Sequence, residues 1–201
     1  MRILIRCSDF CTGKNRLFIM ILYIVRHGQT EENKLKILQG HMPGTLTEQG
    51  REQVRRTAEE LAECGVSFRC IVSSDLKRAM DSATIISERL NLPVVPMDML
   101  RERDWGEYTG ITIAEGKAKY YHDGRWDFPG RAESDEGILE RAKEALKVLY
   151  EQFADDTIIV VTHGQFARNL LAADRGCSYH DIPSYGNAEV RVLEINANSM
   201  N

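Results

Sequence analysis

Residues 20–28 read MILYIVRHG, an apolar run that ends in the pair His27-Gly28. Residues 157–164 read TIIVVTHG and end in the same way at His163-Gly164. Buried parallel strands have continuous apolar sequences, and ligands of open α/β sheets bind beyond the carboxyl ends of the strands. The two stretches therefore predict two buried strands, each with a histidine where a site is expected. A functional role for both is favoured over two unrelated core histidines.

The rest of the chain alternates β-type apolar runs with helical patterns, which is typical of an α/β protein. We predict a three-layer α/β/α fold with a mostly parallel central sheet and a lid segment inserted at about 106–133. The lid segment is rich in Gly, Tyr, Trp and charged residues. Strands are predicted at 20–25, 68–72, 94–97, 157–161 and 188–195, and helices from Thr47 to Gly65 and at 75–90, 135–153 and 165–173.

Residues 1–19 show little periodicity and are interpreted as an N-terminal extension outside the core. Two alternatives stay open for this segment: a true start at Met20, or a short strand at residues 3–5. Residues 20–201 are predicted to form a single domain, which suits their length.

Composition and charge exclude several classes of protein. The 201 residues are 43% hydrophobic and 28% charged, the profile of a soluble globular protein, and the net charge of −4 argues against a general nucleic-acid binder. The run at residues 17–25 stops at Arg26, too short for a membrane span, and no cleavage site of a signal peptide follows it. Five cysteines without a regular framework favour reduced thiols and a cytoplasmic location.

A third predicted strand leads into residues 73–79, which read SSDLKRA. Arg78 lies about one turn into the helix that follows, so it can face the same crevice as the histidines. Arg26 and Arg78 each offer a planar fork that matches phosphate oxygens. The alternative for Arg78 is a surface arginine paired with Asp75 or Asp81.

Four stretches in this order resemble the histidine phosphatase, or phosphoglycerate mutase-like, superfamily. They are residues 26–30 (RHGQT) with Asn33, 73–79 (SSDLKRA), 100–106 (LRERDWG) and 161–164 (VTHG). The resemblance covers residues 20 to 195. It implies that His27 attacks phosphorus, that Arg26, Arg78 and His163 bind the phosphoryl group, and that Glu102 supplies the leaving-group proton.

These residue types suit that chemistry, because a histidine is a usable nucleophile near neutral pH and fixed cations stabilise the phosphoryl oxygens without a metal. A carbonyl at Gly28 would hold one imidazole nitrogen of His27. The predicted substrate-binding set is Arg26, His27, Gly28, Asn33, Gln39, Gly40, Arg78 and Gly164.

Several residues keep a second interpretation. Glu102 on its own pattern would be a loop carboxylate paired with Arg101 or Arg103. Ser134, in a segment similar to a Gly-Glu-Ser stretch of the family, is interpreted as a helix N-cap. Asn187 fits the family or a turn. His41, His122 and His180 are interpreted as loop or surface residues, and packing is favoured over substrate stacking for the aromatic residues of the lid segment.

The sequence therefore predicts a phosphatase that needs no metal or cofactor and acts on a small phosphorylated metabolite, with no nucleic-acid or membrane partner. One alternative is a mutase that uses the same histidine. Mutases of the superfamily that the chain resembles generally have a longer segment between the catalytic Glu and the second His. The mutase is disfavoured because only 61 positions separate Glu102 from His163. The other is a binding module without turnover, disfavoured because the nucleophile and the acid are both present. The predicted edge strand at 188–195 leaves a homodimer open.

Overall fold

The central sheet has five strands, and the computed structural model of the protein describes residues 18–196. The strands run in the order β3-β2-β6-β1-β7, and all neighbours are parallel except the antiparallel pair β1 and β7. The predicted mostly parallel sheet is thus confirmed. The strand bounds are β1 (Ile19–Arg26), β2 (Ile71–Ser73), β3 (Val94–Pro96), β6 (Thr157–Thr162) and β7 (Val190–Asn196), and β4 (Tyr121–His122) and β5 (Arg125–Trp126) form a separate hairpin.

Helices cover both faces of this sheet, because the side chains of each strand alternate between the faces. Leu22 and Val160 lie in a buried cluster with residues of two helices, α5 (Asp135–Phe153) and α6 (Gly164–Arg175). Val25 and Val161 lie in a second cluster with α2 (Glu48–Glu63) and α3 (Lys77–Leu90). The three-layer α/β/α prediction is confirmed. Two short helices complete the described set, α1 (Glu31–Lys34) and α4 (Ile113–Tyr120).

The predicted elements are all present; the helix at 135–153 has the predicted bounds, and the ends of the others are shifted. The strand predicted at 68–72 begins only at Ile71, and the helix predicted at 75–90 begins at Lys77. The last strand begins at Val190 because Ala188 adopts a left-handed conformation with φ of 57°. Ile19 belongs to β1, so the predicted extension ends one residue too late. Residues 1–17, including the alternatives at 3–5, lie outside the described residues, and the single-domain prediction is not tested.

The lid segment is more regular than its sequence suggested. It contains α4 and the hairpin of β4 and β5. The beginning of α4 carries a capping box, in which the Thr112 hydroxyl accepts from the Glu115 N–H and the Glu115 carboxylate accepts from the Thr112 N–H. This Thr-x-x-Glu pattern is a known helix signal, and the sequence interpretation missed it.

Among residues 18–196, no helix combines the length and the apolar composition needed to cross a membrane. The three cysteines of this part, Cys64, Cys70 and Cys177, carry free thiols. Strand β7 lies at one edge of the sheet, as predicted, and the homodimer stays a prediction.

Two glycines let α2 approach the end of β1. A Cβ atom on Gly28 would lie 2.4 Å from the carbonyl oxygen of Gly50, and one on Gly50 would lie 2.1 Å from that of Gln29. Both contacts are with backbone atoms, which side-chain rotation cannot relieve. The chain beyond His27 is therefore held against the first turn of α2 by the absence of two side chains.

We expect Gly50→Ala to destabilise the protein by about 2–3 kcal/mol through overpacking. Helix propensity alone predicts the opposite sign, a gain of about 1 kcal/mol, because alanine is the better helix former. Gly137→Ala is the matched control, since Gly137 occupies the same position relative to its N-cap in α5 and its Cβ would meet only side-chain atoms, at 3.3 and 3.5 Å. Urea unfolding measures both changes. Equal or greater stability of Gly50→Ala would contradict the close approach.

Candidate active site

His27 follows β1 and has a defined tautomer. Its Nδ1 lies 2.7 Å from the carbonyl oxygen of Gly28, as expected from the sequence, and its Nε2 lies 3.3 Å from Nε of Arg78. A carbonyl only accepts and a guanidinium only donates, so Nδ1 carries the proton and Nε2 keeps its lone pair. The imidazole is oriented with a nucleophilic nitrogen toward the arginine.

Electrostatics keep this imidazole neutral. Burial lowers the pKa of His27 well below 6.5, and the nearby charges of Arg78 and Arg26 lower it further. Burial likewise lowers the pKa of His163, followed by Arg78 and His27. The ring centroids of the two histidines are 5.2 Å apart. The structure therefore brings together the histidines that the two strand ends predicted.

These histidines make stability depend on pH. Below about pH 6.5 the histidines of the unfolded chain bind protons, whereas the two buried histidines of the folded protein stay neutral. The contribution of these histidines to the free energy of unfolding is therefore fully present above that pH and is lost as the pH falls. We expect the free energy of unfolding to decrease between about pH 7 and pH 5 by up to about 1.4 kcal/mol per pH unit and histidine. Urea unfolding across this range measures the slope. His163→Asn should flatten it and the exposed His122→Gln should not; an unchanged slope in His163→Asn would contradict the burial argument.

Arg78 is almost fully buried, and its hydrogen bonds within residues 18–196 are all with neutral groups. Its Nη1 donates to the carbonyl oxygen of Met42 at 2.5 Å and its Nη2 to that of Gly40 at 2.8 Å. Burial lowers its pKa to about 10, partly offset by Glu102 and Glu32. The alternative of a surface ion pair is wrong, because Arg101 pairs with Asp75 and Lys77 with Asp81. A buried guanidinium with no carboxylate in contact is suited to an anionic ligand.

Arg26 ends β1 and keeps a donor free. Its Nη1 donates to the carbonyl oxygen of Tyr185 at 2.6 Å, while its Nε is buried with no hydrogen-bond partner among the described residues. Burial lowers its pKa, and Glu102 and Glu189 offset part of that shift. A Cβ on Gly164 would lie 3.2 Å from this Nε, so the glycine leaves room for the guanidinium.

His163 follows β6 and is completely buried. Its Nε2 lies 2.8 Å from the hydroxyl of Ser74, and that hydroxyl accepts from the Leu76 N–H at 3.3 Å. The Ser74 hydroxyl can thus donate a hydrogen bond to Nε2 of His163, and the ring proton of His163 then lies on Nδ1. This Nδ1 is buried and has no partner in the described part of the chain. Ser74 lies in the quoted motif, but the sequence interpretation gave it no role.

Glu102 lies on the amino end of α6. Its carboxylate accepts from the backbone N–H groups of Gln165 at 3.2 Å, Phe166 at 3.0 Å and Arg103 at 3.0 Å. The alternative of a loop carboxylate paired with neighbouring arginine side chains is wrong, because Arg101 pairs with Asp75 and Arg103 with Asp135. The negative charge of Glu102 raises the pKa of Arg26 and of Arg78 against the effect of burial, so the carboxylate acts on both cations.

An ion pair behind this loop fixes the backbone that carries Glu102. Arg141 of α5 binds Glu133 with Nη2 at 2.7 Å, and its Nη1 donates to the carbonyl oxygens of Met99 and Arg101 at 2.8 Å each. The sequence interpretation missed Arg141, whose carbonyl partners Met99 and Arg101 lie about 40 positions earlier in the chain. Ser134 accepts from the Gly137 N–H, which confirms its predicted role as an N-cap.

The remaining predicted binding residues surround His27 and Arg78. Asn33 accepts from the side-chain amide of Asn187 at 3.2 Å, and that amide also lies 3.3 Å from the carbonyl oxygen of His27. Gln39 is buried and accepts from the Thr30 hydroxyl at 3.1 Å. The backbone of Gly40 binds Arg78, as described above. These contacts position the site, and binding of substrate by these residues stays a prediction.

A cleft of about 490 Å³ adjoins the site at Arg26 and Glu102. Its wall includes Arg26, Glu102 and Gly164, together with residues of the lid segment and of α6. Trp105, Tyr121 and Trp126 line it while packing on one another, with Trp105 and Tyr121 ring centroids 5.5 and 5.1 Å from that of Trp126. Packing of the lid aromatics is confirmed, and three of them also reach the cleft. His41 is a partly buried loop residue bonded to the carbonyl oxygen of Glu102 at 2.9 Å.

The chain is similar to a known protein family, to curated proteins and to solved structures. Residues 22–201 match the family model of the histidine phosphatase superfamily (branch 1). The chain is 31% identical to phosphoserine phosphatase 1 of Hydrogenobacter thermophilus, over 87% of this chain and 86% of the relative. It is 33% identical to a 2,3-bisphosphoglycerate-dependent phosphoglycerate mutase 2 of Gloeobacter violaceus, over 75% and 74%. The solved structure of a mycobacterial glucosyl-3-phosphoglycerate phosphatase complexed with VO3 has a TM-score of 0.76 and 29% identity, covering 86% and 90%.

Proposed function

The chain belongs to the histidine phosphatase superfamily (branch 1), and on that basis we propose that it is a metal-independent phosphatase acting on a small phosphomonoester through a phosphohistidine on His27. The observation that carries this proposal is the fixed tautomer of His27, whose Nε2 lone pair points to Arg78, a cation that no carboxylate of residues 18–196 contacts. His27, Arg26, Arg78, His163 and Glu102 are the proposed catalytic residues.

In the first step, Nε2 of His27 attacks phosphorus and the bond to the leaving oxygen breaks. The new N–P bond replaces the contact of Nε2 with Arg78, whose Nε then donates to a phosphoryl oxygen. The buried donors of Arg26 and His163 are free for the other oxygens. Such preorganised donors stabilise the charge that spreads over the phosphoryl oxygens in the transition state.

Glu102 is the proposed acid and base. Its protonated carboxyl gives its proton to the leaving oxygen, because an alkoxide is a poor leaving group. In the second step, its carboxylate takes a proton from water as the water oxygen attacks phosphorus. The N–P bond breaks, the electron pair returns to Nε2, and inorganic phosphate leaves.

One relative is named as a 2,3-bisphosphoglycerate-dependent phosphoglycerate mutase, so a mutase that uses the same histidine is the second candidate function. The short separation of Glu102 and His163 supports hydrolysis for this chain. Retention of both the nucleophile and the acid argues against a binding module without turnover.

The proposal is tested with Glu102→Gln and two esters in excess EDTA. The kcat/KM value reports only formation of the phosphoenzyme, so it isolates the protonation of the leaving group. For glycerol 3-phosphate we expect a loss of about 10²–10⁴-fold. For p-nitrophenyl phosphate we expect at most about a tenfold loss, because p-nitrophenolate leaves without a proton.

Equal losses on both esters would contradict the role of Glu102. Loss of wild-type turnover in EDTA would contradict metal independence. Transfer of the phosphoryl group to an added glycerate in preference to water would identify a mutase.

A further inference from the structure

The outer part of the cleft, beyond Glu102, is cationic. Lys117 of α4 and Arg168 of α6 both line it. Among the described residues that line the cleft, Glu102 is the one carboxylate. Arg26, the other arginine of the wall, is already assigned to the phosphoryl group. Lys117 and Arg168 are therefore the two cations in the described part of this wall that the proposed chemistry does not use.

Arg168 is half-buried, and its guanidinium donates hydrogen bonds to neutral carbonyl groups. Its Nε donates to the carbonyl oxygen of Ile182 at 2.8 Å and its Nη2 to that of Tyr179 at 2.7 Å. It forms no ion pair with any residue of 18–196, and Nη1 makes no hydrogen bond there. Burial lowers its pKa, as expected for a guanidinium removed from water without a counter-ion. An anion in the cleft would supply that counter-ion.

Lys117 differs from three other lysines on helices. Lys34, Lys77 and Lys143 each pair with a carboxylate three or four positions away. Lys117 has no acidic residue at those positions, and its Nζ lies 5.7 Å from the ring centroid of Tyr121, another residue of the cleft wall. Its charge is thus directed to the cleft and not to its own helix.

We propose that Lys117 and Arg168 form a subsite for a carboxylate on the leaving group, so that the preferred substrates are acidic phosphomonoesters. The inference rests on the proposed phosphatase activity. With Glu102 protonated in the first step, no negative charge among the described residues of the cleft wall opposes a carboxylate on the leaving group. A guanidinium and an ammonium both donate charge-assisted hydrogen bonds to carboxylate oxygens, and both of these side chains line the same cleft.

The test compares 3-phosphoglycerate with glycerol 3-phosphate. Their carbon chains are the same, except that a carboxylate replaces a hydroxymethyl group. For the wild type we expect kcat/KM to favour 3-phosphoglycerate by about tenfold or more. Lys117→Gln should lower this preference by about fivefold, mostly through KM, and Lys117→Glu should lower it further. Glycerol 3-phosphate has no carboxylate, so its kcat/KM should fall less than that of 3-phosphoglycerate in both variants.

Lys119→Gln is the matched control. Lys119 lies two positions away on the same helix, outside the cleft wall. The pKa of the Glu115 carboxyl is lowered mainly by its hydrogen bond with the backbone of Thr112, and the charge of Lys119 lowers it further. The preference of Lys119→Gln should equal that of the wild type. Hydrolysis of both esters at equal kcat/KM, or a preference that Lys117→Glu does not change, would overturn the subsite and leave the phosphatase proposal intact. No hydrolysis of either ester or of p-nitrophenyl phosphate would overturn the phosphatase proposal, and this inference with it.

Discussion

Replacing His27 by alanine is expected to lower kcat for p-nitrophenyl phosphate by at least about 10⁴-fold. The variant has no nitrogen to accept the phosphoryl group, and the remaining donors can only polarise an ester for direct attack by water. Phosphate release in excess EDTA measures the loss, and the thermal transition shows whether the variant is folded.

His122→Ala is the control for this variant, because His122 is exposed and its Nε2 lies 3.2 Å from the carbonyl oxygen of Lys119, in the hairpin of β4 and β5. It should keep its activity within about twofold of the wild type. A folded His27→Ala variant that retains a tenth or more of the activity would show that another residue is the nucleophile.

Arg78→Met is expected to lower kcat/KM by about 10³-fold, since it removes a charged donor from the phosphoryl group. Stability should change little. The variant loses two hydrogen bonds to carbonyl oxygens, but it also removes a buried charge that no carboxylate contacts. A large fall in activity without a comparable fall in stability would show that the buried charge serves the ligand.

Lys77→Met on the same helix is the control, because Lys77 is exposed and pairs only with Asp81. Its kcat/KM should stay within about twofold of the wild type. Equal activity of Arg78→Met and Lys77→Met would contradict the role assigned to Arg78.

The strand ends explain why much of the site was predictable. Buried strands have a strong apolar signal, and parallel neighbours bring their carboxyl ends to one edge, so His27 and His163 had to lie close together. Arg78 was predicted from its place near the start of the helix after β2; that helix begins at Lys77, so Arg78 is its second residue and not one turn into it. Glu102 was not predictable from local pattern, because its contacts are with backbone groups of α6, more than 60 positions later. Only the family resemblance identified it.

The residues that hold the site were harder to predict. Arg141 reaches three carbonyl groups of the loop before and at Glu102, and no local pattern marks an arginine on a long helix as buried support. The contact of Gly28 with Gly50 also depends on how α2 packs against β1. In contrast, α4 was predictable from the sequence, because Thr112 and Glu115 have the spacing of a capping box.

The most direct test of the central claim is detection of the phosphorylated residue itself. Glu102→Gln is mixed with p-nitrophenyl phosphate, quenched in alkali where phosphohistidine is stable, digested and mapped by mass spectrometry. The first step needs no acid with this ester and the second step lacks its base, so the intermediate should accumulate on the peptide that contains Arg26, His27 and Gly28. Release of p-nitrophenol with no phosphorylated peptide, or a phosphoryl group on any other residue, would contradict a phosphohistidine mechanism on His27.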